Sequence, residues 1–189
     1  MNTKPIHDDI VYGRTALREG VPWITPDSLE ALEAVIDPEW RVFEWGSGGS
    51  TAYWARKCAN VISIEHNTEW ILRTTDILTK LSCERAKVDL KLVRRDANAN
   101  TFHVYADAIL GYPDESFDLV FVDGEASCRG WCITNALPKI KPGGYLLLDN
   151  SNWFKKDLGW EKQDFVAADL TWVGQAGTFD WWTSILRKP

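Results

Sequence analysis

Five carboxylates in the 189-residue chain stand at the ends of apolar runs: Glu44 in RVFEW, Glu65 in NVISIE, Asp96 just after VDLKLVRR, Asp123 in FDLVFVD and Asp149 in GYLLLD. The first run leads into Gly46, Ser47, Gly48 and Gly49, then into two hydroxyls, Ser50 and Thr51. Glycines at that density allow a tight turn and a close approach of backbone to a ligand. A hydroxyl at the start of the next helix can cap it, and the free N–H groups of that helix end favour a bound anion or polar group. Glu65 follows Gly46 by 19 residues, where an acidic side chain accepts hydrogen bonds from ribose hydroxyls. Taken together, these residues predict a nucleotide-type ligand.

Positioning those side chains falls to an alternating series of elements. The apolar runs 41–45, 60–65, 88–95, 117–123 and 144–149 read as strands, and between them STAYWARKC, NTEWILRTTDILTKL, FHVYADAIL and SCRGWCITNALPKI read as helices. Strands that are nearly all apolar and alternate with helices form a parallel sheet covered on both faces. The expected fold is therefore α/β, a Rossmann-like, doubly wound, mostly parallel seven-stranded sheet. The stretch LTWVGQAGTFDWWTSILR holds two β-prone runs around a turn at Gln175–Gly177 and should close the sheet with an antiparallel hairpin strand. Ahead of the first strand, TPDSLEALEAVI predicts a short helix capped at Asp27 or Ser28 and ended by Pro38. The chain reads as one domain over 1–189, with 1–20 an N-terminal extension and 21–38 a lead-in helix segment. In a parallel sheet the carboxyl ends of the strands share one edge, so the five acidic segments should meet in one crevice.

A dinucleotide oxidoreductase shares that geometry, but its fingerprint places a third glycine where this chain has Thr51. The pattern Glu44-x-Gly46-x-Gly48 instead resembles motif I of the class I S-adenosylmethionine-dependent methyltransferases. The resemblance continues through PDESFDLVFVDG, LPKIKPGGYLLLDN and the terminal hairpin, most of the chain from Pro22 onward. It implies a S-adenosylmethionine site built from Glu44, Gly46, Ser47, Gly48, Ser50, Thr51, Glu65 and His66, with Asp96 or Asp107 at the adenine. A narrower resemblance, to the cation-dependent catechol-like O-methyltransferases, implies a divalent cation such as Mg²⁺ on Asp123, Asp149 and Asn150, with Asp123 the catalytic carboxylate. Such an ion would lower the pKa of an acceptor hydroxyl. Those enzymes carry a lysine three residues after the first Asp; here that position is Ala126, leaving Arg129 as an anion binder, Lys155 or His66 as alternatives. FEWGSGGSTAYWA and VISIEH also resemble small bacterial class I methyltransferases whose acceptors are undefined or glycan-like, so the expected acceptor is a small molecule or sugar. The rival readings are a non-catalytic nucleotide-binding protein of the same fold and an NAD-dependent oxidoreductase.

Composition narrows the partners. A formal charge of −6 disfavours nucleic acid, whose backbone demands a basic face. No run of about 18 apolar residues spans a bilayer, and the first residues lack the apolar core of a signal peptide, so a cytoplasmic protein without a membrane partner is expected. The four cysteines, Cys58, Cys83, Cys128 and Cys132, read as buried thiols. Eleven tryptophans mostly supply core, while Trp23, Trp45 and Trp153 flank the motifs and are candidates to line a pocket.

Overall fold

Alternation along the strands divides the core in two. Val42, Val61, Leu119, Phe121, Leu147 and Ile185 pack on one face of the sheet against Ile24, Leu32, Tyr53 and Trp54. Phe43, Trp45, Ile62, Ile64, Val120 and Leu146 pack on the other, against Tyr105, Ile109, Cys132 and Ile133. A computed structural model describes residues 15–84, 87–96, 101–153, 164, 170–177 and 181–189. The expectation for Lys155 lies outside these residues, as does the side chain of Trp153.

The elements are a helical segment α1 (residues 15–19), α2 (Pro26–Glu33), β1 (Arg41–Trp45), α3 (Gly49–Lys57), β2 (Asn60–Glu65), α4 (Thr68–Lys80), β3 (Val88–Leu92), α5 (His103–Ala106), β4 (Phe117–Val122), α6 (Arg129–Ala136), β5 (Ile140–Asp149), β6 (Thr171–Gly177) and β7 (Trp182–Arg187). The seven strands form one sheet in the order β3-β2-β1-β4-β5-β7-β6. The first five pair in parallel and β7 runs antiparallel to both neighbours, the Rossmann-like arrangement that the pattern predicts. Strand order reverses between β1 and β4, and a crevice opens at such a switch point, outside the carboxyl ends of the strands.

Register carries the sequence pattern into space. Trp45 pairs with Ile64 and with Val122, Val122 with Leu148, and Asp149 with Thr183. The residues at or just past these rungs, Glu65, Gly46, Asp123, Asp149 and Thr183, therefore stand in a row along one edge.

Four details differ from expectation. β3 ends at Leu92, because its partner ends at Glu65 and the last rung is Val93 N–H to Glu65 O at 2.8 Å. β5 begins at Ile140 and absorbs the Pro-Gly-Gly stretch as a register shift opposite Phe117 and Leu119. β6 runs through Gly177, which pairs with Trp182, so Gln175–Gly177 is strand where a turn is predicted. α2 starts at Pro26 after Thr25, and the Ser28 hydroxyl donates to Thr183 O instead of capping the helix. Among the described residues no helix is long and apolar enough to cross a membrane. All four cysteines are free and buried.

Candidate active site

The glycine loop is held from below by a buried carboxylate. Glu44 is fully buried and accepts hydrogen bonds from Thr51 Oγ1, Ser63 Oγ at 2.7 Å and Trp54 Nε1 at 3.0 Å. Thr51 Oγ1 in turn accepts the Gly48 N–H at 3.0 Å. The chain of bonds thus runs from the interior carboxylate to the backbone of the loop. Burial pushes the Glu44 carboxyl up to about 7 against the pull of its hydroxyl and indole donors. Gly46 has φ +96°, and a Cβ there would stand 2.9 Å from Gly124 N. Glycine is needed at 46 both for the left-handed backbone and for the contact between the loops that follow β1 and β4.

On the upper side of that loop lies a cavity of about 560 Å³. The glycine turn contributes Gly46, Ser47, Gly48, Gly49 and Ser50; the end of β2 contributes Glu65 and His66. Asp123, Gly124, Glu125 and Ala126 enter after β4, Arg129 from α6, and Asp149 and Asn150 from the end of β5. Ala16, Leu17, Val21 and Trp23 form a wall ahead of the first strand, and Trp70 and Trp181 add aromatic surface.

Glu65 is the best-bonded carboxylate of the cavity. One oxygen accepts the backbone N–H groups of His66 at 2.8 Å and Asn67 at 2.7 Å; the other accepts Ser47 N–H at 2.9 Å. It is 3% exposed, so β2 and the glycine loop are fastened together at the point where a ribose would arrive. His66 packs edge-on against Phe102 and Tyr105, with Nε2 3.8 Å from Glu125 Oε2.

At the other end, Asp123 and Asp149 stand on neighbouring strands. Burial, then the Asp149 charge, raises the Asp123 carboxyl well above the ordinary range, opposed by Arg129. Burial raises Asp149 to about 6, opposed by the Thr183 hydroxyl and by Arg129. Asp149 Oδ1 accepts from Thr183 Oγ1 at 2.8 Å and Trp181 Nε1 at 3.0 Å. Asp123 Oδ1 lies 3.3 Å from Arg129 Nη2, and its side chain keeps 27% exposure.

The expected cation set does not fit an ion. Asn150 Oδ1 accepts from Arg129 Nη1 at 3.0 Å, Asp123 Oδ1 faces the same guanidinium, and Asp149 Oδ1 accepts from Thr183 and Trp181. A divalent cation needs these oxygens for itself and is repelled by a permanent positive charge in their midst. Arg129 is not an anion binder either, because its donors are spent on protein oxygens.

The remaining sequence candidates divide. Gly46, Ser47, Gly48, Ser50, Glu65 and His66 line the cavity, whereas Glu44 and Thr51 act on it from beneath. Asp96 does not line it; its backbone N–H bonds Thr101 O at 2.8 Å. Asp107 belongs elsewhere, exposed in a 3-10 turn and bonded to Asn135 Nδ2 at 2.9 Å. Trp45 is core, donating its indole N–H to Tyr105 O at 2.9 Å. The sequence reading missed Trp70 and Trp181. Trp70 follows the Asn67 cap in the first turn of α4, a position from which a side chain reaches the crevice, whereas Trp181 gives no local signal.

A search of curated proteins found no match to the chain. Solved structures share the fold at low identity. A candidate methyltransferase of Streptococcus mutans, in complex with S-adenosylhomocysteine, is 15% identical with a TM-score of 0.63 over 87% of this chain and 98% of that one. A candidate O-methyltransferase of Klebsiella pneumoniae is 17% identical with a TM-score of 0.61 over 100% and 92%. An rRNA methylase of Streptococcus thermophilus is 16% identical with a TM-score of 0.60 over 86% and 94%. The model of a methyltransferase-domain family matches residues 43–151, from within β1 to just beyond β5. The chain therefore belongs to that family and is a S-adenosylmethionine-dependent methyltransferase.

Proposed function

We propose that the enzyme transfers the sulfonium methyl to a hydroxyl oxygen of a small molecule or sugar, with Asp123 receiving the hydroxyl proton. The observation that carries this reading is that Asp123, still partly exposed, opens onto the same cavity as the glycine turn and Glu65. In this reading the loop backbone holds the methionine part and Glu65 the ribose hydroxyls. The acceptor oxygen attacks the methyl carbon in line, the C–S bonding pair returns to sulfur, and the proton passes to the carboxylate. Positioning and proton removal are the two contributions asked of the protein.

Trp23 and Trp181 border the same cavity. Flat aromatic faces beside a carboxylate suit a polyhydroxylated or planar acceptor, with apolar surface for the ring and an acceptor for its hydroxyls. The net charge of −6 and the paired carboxylates oppose a polyanion such as RNA. Transfer of a labelled methyl group to sugars, phenols and RNA, with chelator present, tests the reading. The expected product is a methyl ether on a sugar or phenol; methylated RNA alone, or methylation on nitrogen, would refute it.

A further inference from the structure

Arg129 opens α6, where a positive charge is opposed by the helix dipole, yet it is 5% exposed. Something must repay that placement. A guanidinium carries five N–H groups, and among the described residues five oxygens surround this one. Nε donates to Gly124 O at 3.0 Å. Nη1 donates to Asp149 O at 2.7 Å and Asn150 Oδ1 at 3.0 Å. Nη2 donates to Asp123 O at 2.7 Å and Asp123 Oδ1 at 3.3 Å.

Apart from Gly124, these oxygens belong to the three residues whose types compose a hard-oxygen cation set. Asn150 adopts φ +50°, a left-handed conformation uncommon outside glycine and asparagine, with its amide oxygen on the guanidinium. We infer that Arg129 is the resident cation of the cleft. It supplies a tethered charge where Asp123, Asp149 and Asn150 would otherwise recruit a divalent metal, and it pins the loops after β4 and β5 to each other. Arg129 is accordingly a positioning residue that sets Asp123 in the cavity wall. The charge is permanent, so the clasp holds without any exchangeable ion. This inference rests on the bonds among the two loops and not on the choice of acceptor.

The test is Mn²⁺ titration followed by electron paramagnetic resonance on the full chain, wild type and Arg129→Met, each with S-adenosylhomocysteine. Wild type is expected to bind no Mn²⁺ more tightly than about 1 mM, the weak end of oxygen-ligand sites, and its melting temperature should not respond to EDTA. Arg129→Met is expected to gain at least tenfold in Mn²⁺ affinity, with the gain lost when Asp123→Asn is added. Mn²⁺ held by wild type and released by Asp149→Asn would overturn the inference, and so would a folded Arg129→Met protein with no gain. If Arg129→Met fails to fold, the wild-type titration decides alone, in the same two directions. Affinity for S-adenosylhomocysteine, read in the same samples, reports the cofactor pocket separately, so a failure there is distinguishable from a failure of the clasp.

Discussion

Glu44 makes a stability prediction whose size follows from its burial. The carboxyl is pushed up to about 7 from 4.5, so the folded protein holds this proton more tightly than the unfolded chain. Below pH 4.5 both states are protonated and the stabilisation is fully present. As pH rises through 7 the folded carboxyl ionises and the stabilisation is lost. Linkage between those two values gives about 2 to 3 kcal/mol of lost stability from pH 5 to pH 8. Because the side chain is fully buried, solvent screening removes none of it. Burial also raises Asp123 and Asp149 with the same sign, so wild type alone would not isolate Glu44. Glu44→Gln does, since it keeps the volume and removes the titration. Urea unfolding of both proteins at pH 5, 6, 7 and 8 should show wild type losing about 2 to 3 kcal/mol relative to the variant. With a urea slope of about 2 kcal/mol per molar, the midpoints should shift against each other by about 1 to 1.5 M. Parallel profiles would refute a buried, proton-holding Glu44 and with it the account of what anchors the glycine loop.

Further substitutions probe the cavity directly. Glu65→Ala strips the acceptor from three backbone N–H groups and should weaken S-adenosylhomocysteine binding by about 1 to 3 kcal/mol in calorimetry; unchanged affinity would remove Glu65 from the site. Gly46→Ala forces a side chain into a left-handed position against Gly124 and should cost at least about 1 to 2 kcal/mol of stability by chemical denaturation; a neutral result would contradict the loop contact. Asp123→Asn should slow methyl transfer by about 10² to 10⁴-fold while cofactor affinity stays within a few-fold. Equal loss of binding and rate would instead make Asp123 a binding residue.

The sheet was legible because its evidence is local. Strands such as FDLVFVD are apolar on both faces, which only a doubly covered sheet requires, and β1 and β2 begin and end where their apolar runs do. The edges were less legible, because an edge depends on its partner. β3 stops where β2 offers no further backbone, and β6 continues to Gly177 because β7 pairs with it there. The acidic row was readable for a related reason: a carboxylate at a strand end needs no knowledge of neighbours to be placed at the carboxyl edge.

What those carboxylates bond to was not readable. Glu44 belongs to the glycine motif by position, yet it faces Trp54 and Ser63 under the loop, a consequence of side-chain alternation combined with packing against α3. Asp123, Asp149 and Asn150 resemble a cation set by type and spacing, but Arg129 reaches them from the following helix. That contact depends on how far α6 is set back against the sheet, which the spacing of letters does not encode. The wall from Ala16 to Trp23 likewise comes from a segment whose sequence only hinted at proximity through Trp23.

The most direct test of the central claim is calorimetric titration of the purified protein with S-adenosylhomocysteine, in EDTA and in Mg²⁺, with NAD as control. The structure predicts one site, the same affinity in both buffers, no binding of NAD, and weakening in Glu65→Ala. Failure of S-adenosylhomocysteine to bind, or binding of NAD in its place, would contradict the assignment of this crevice to S-adenosylmethionine.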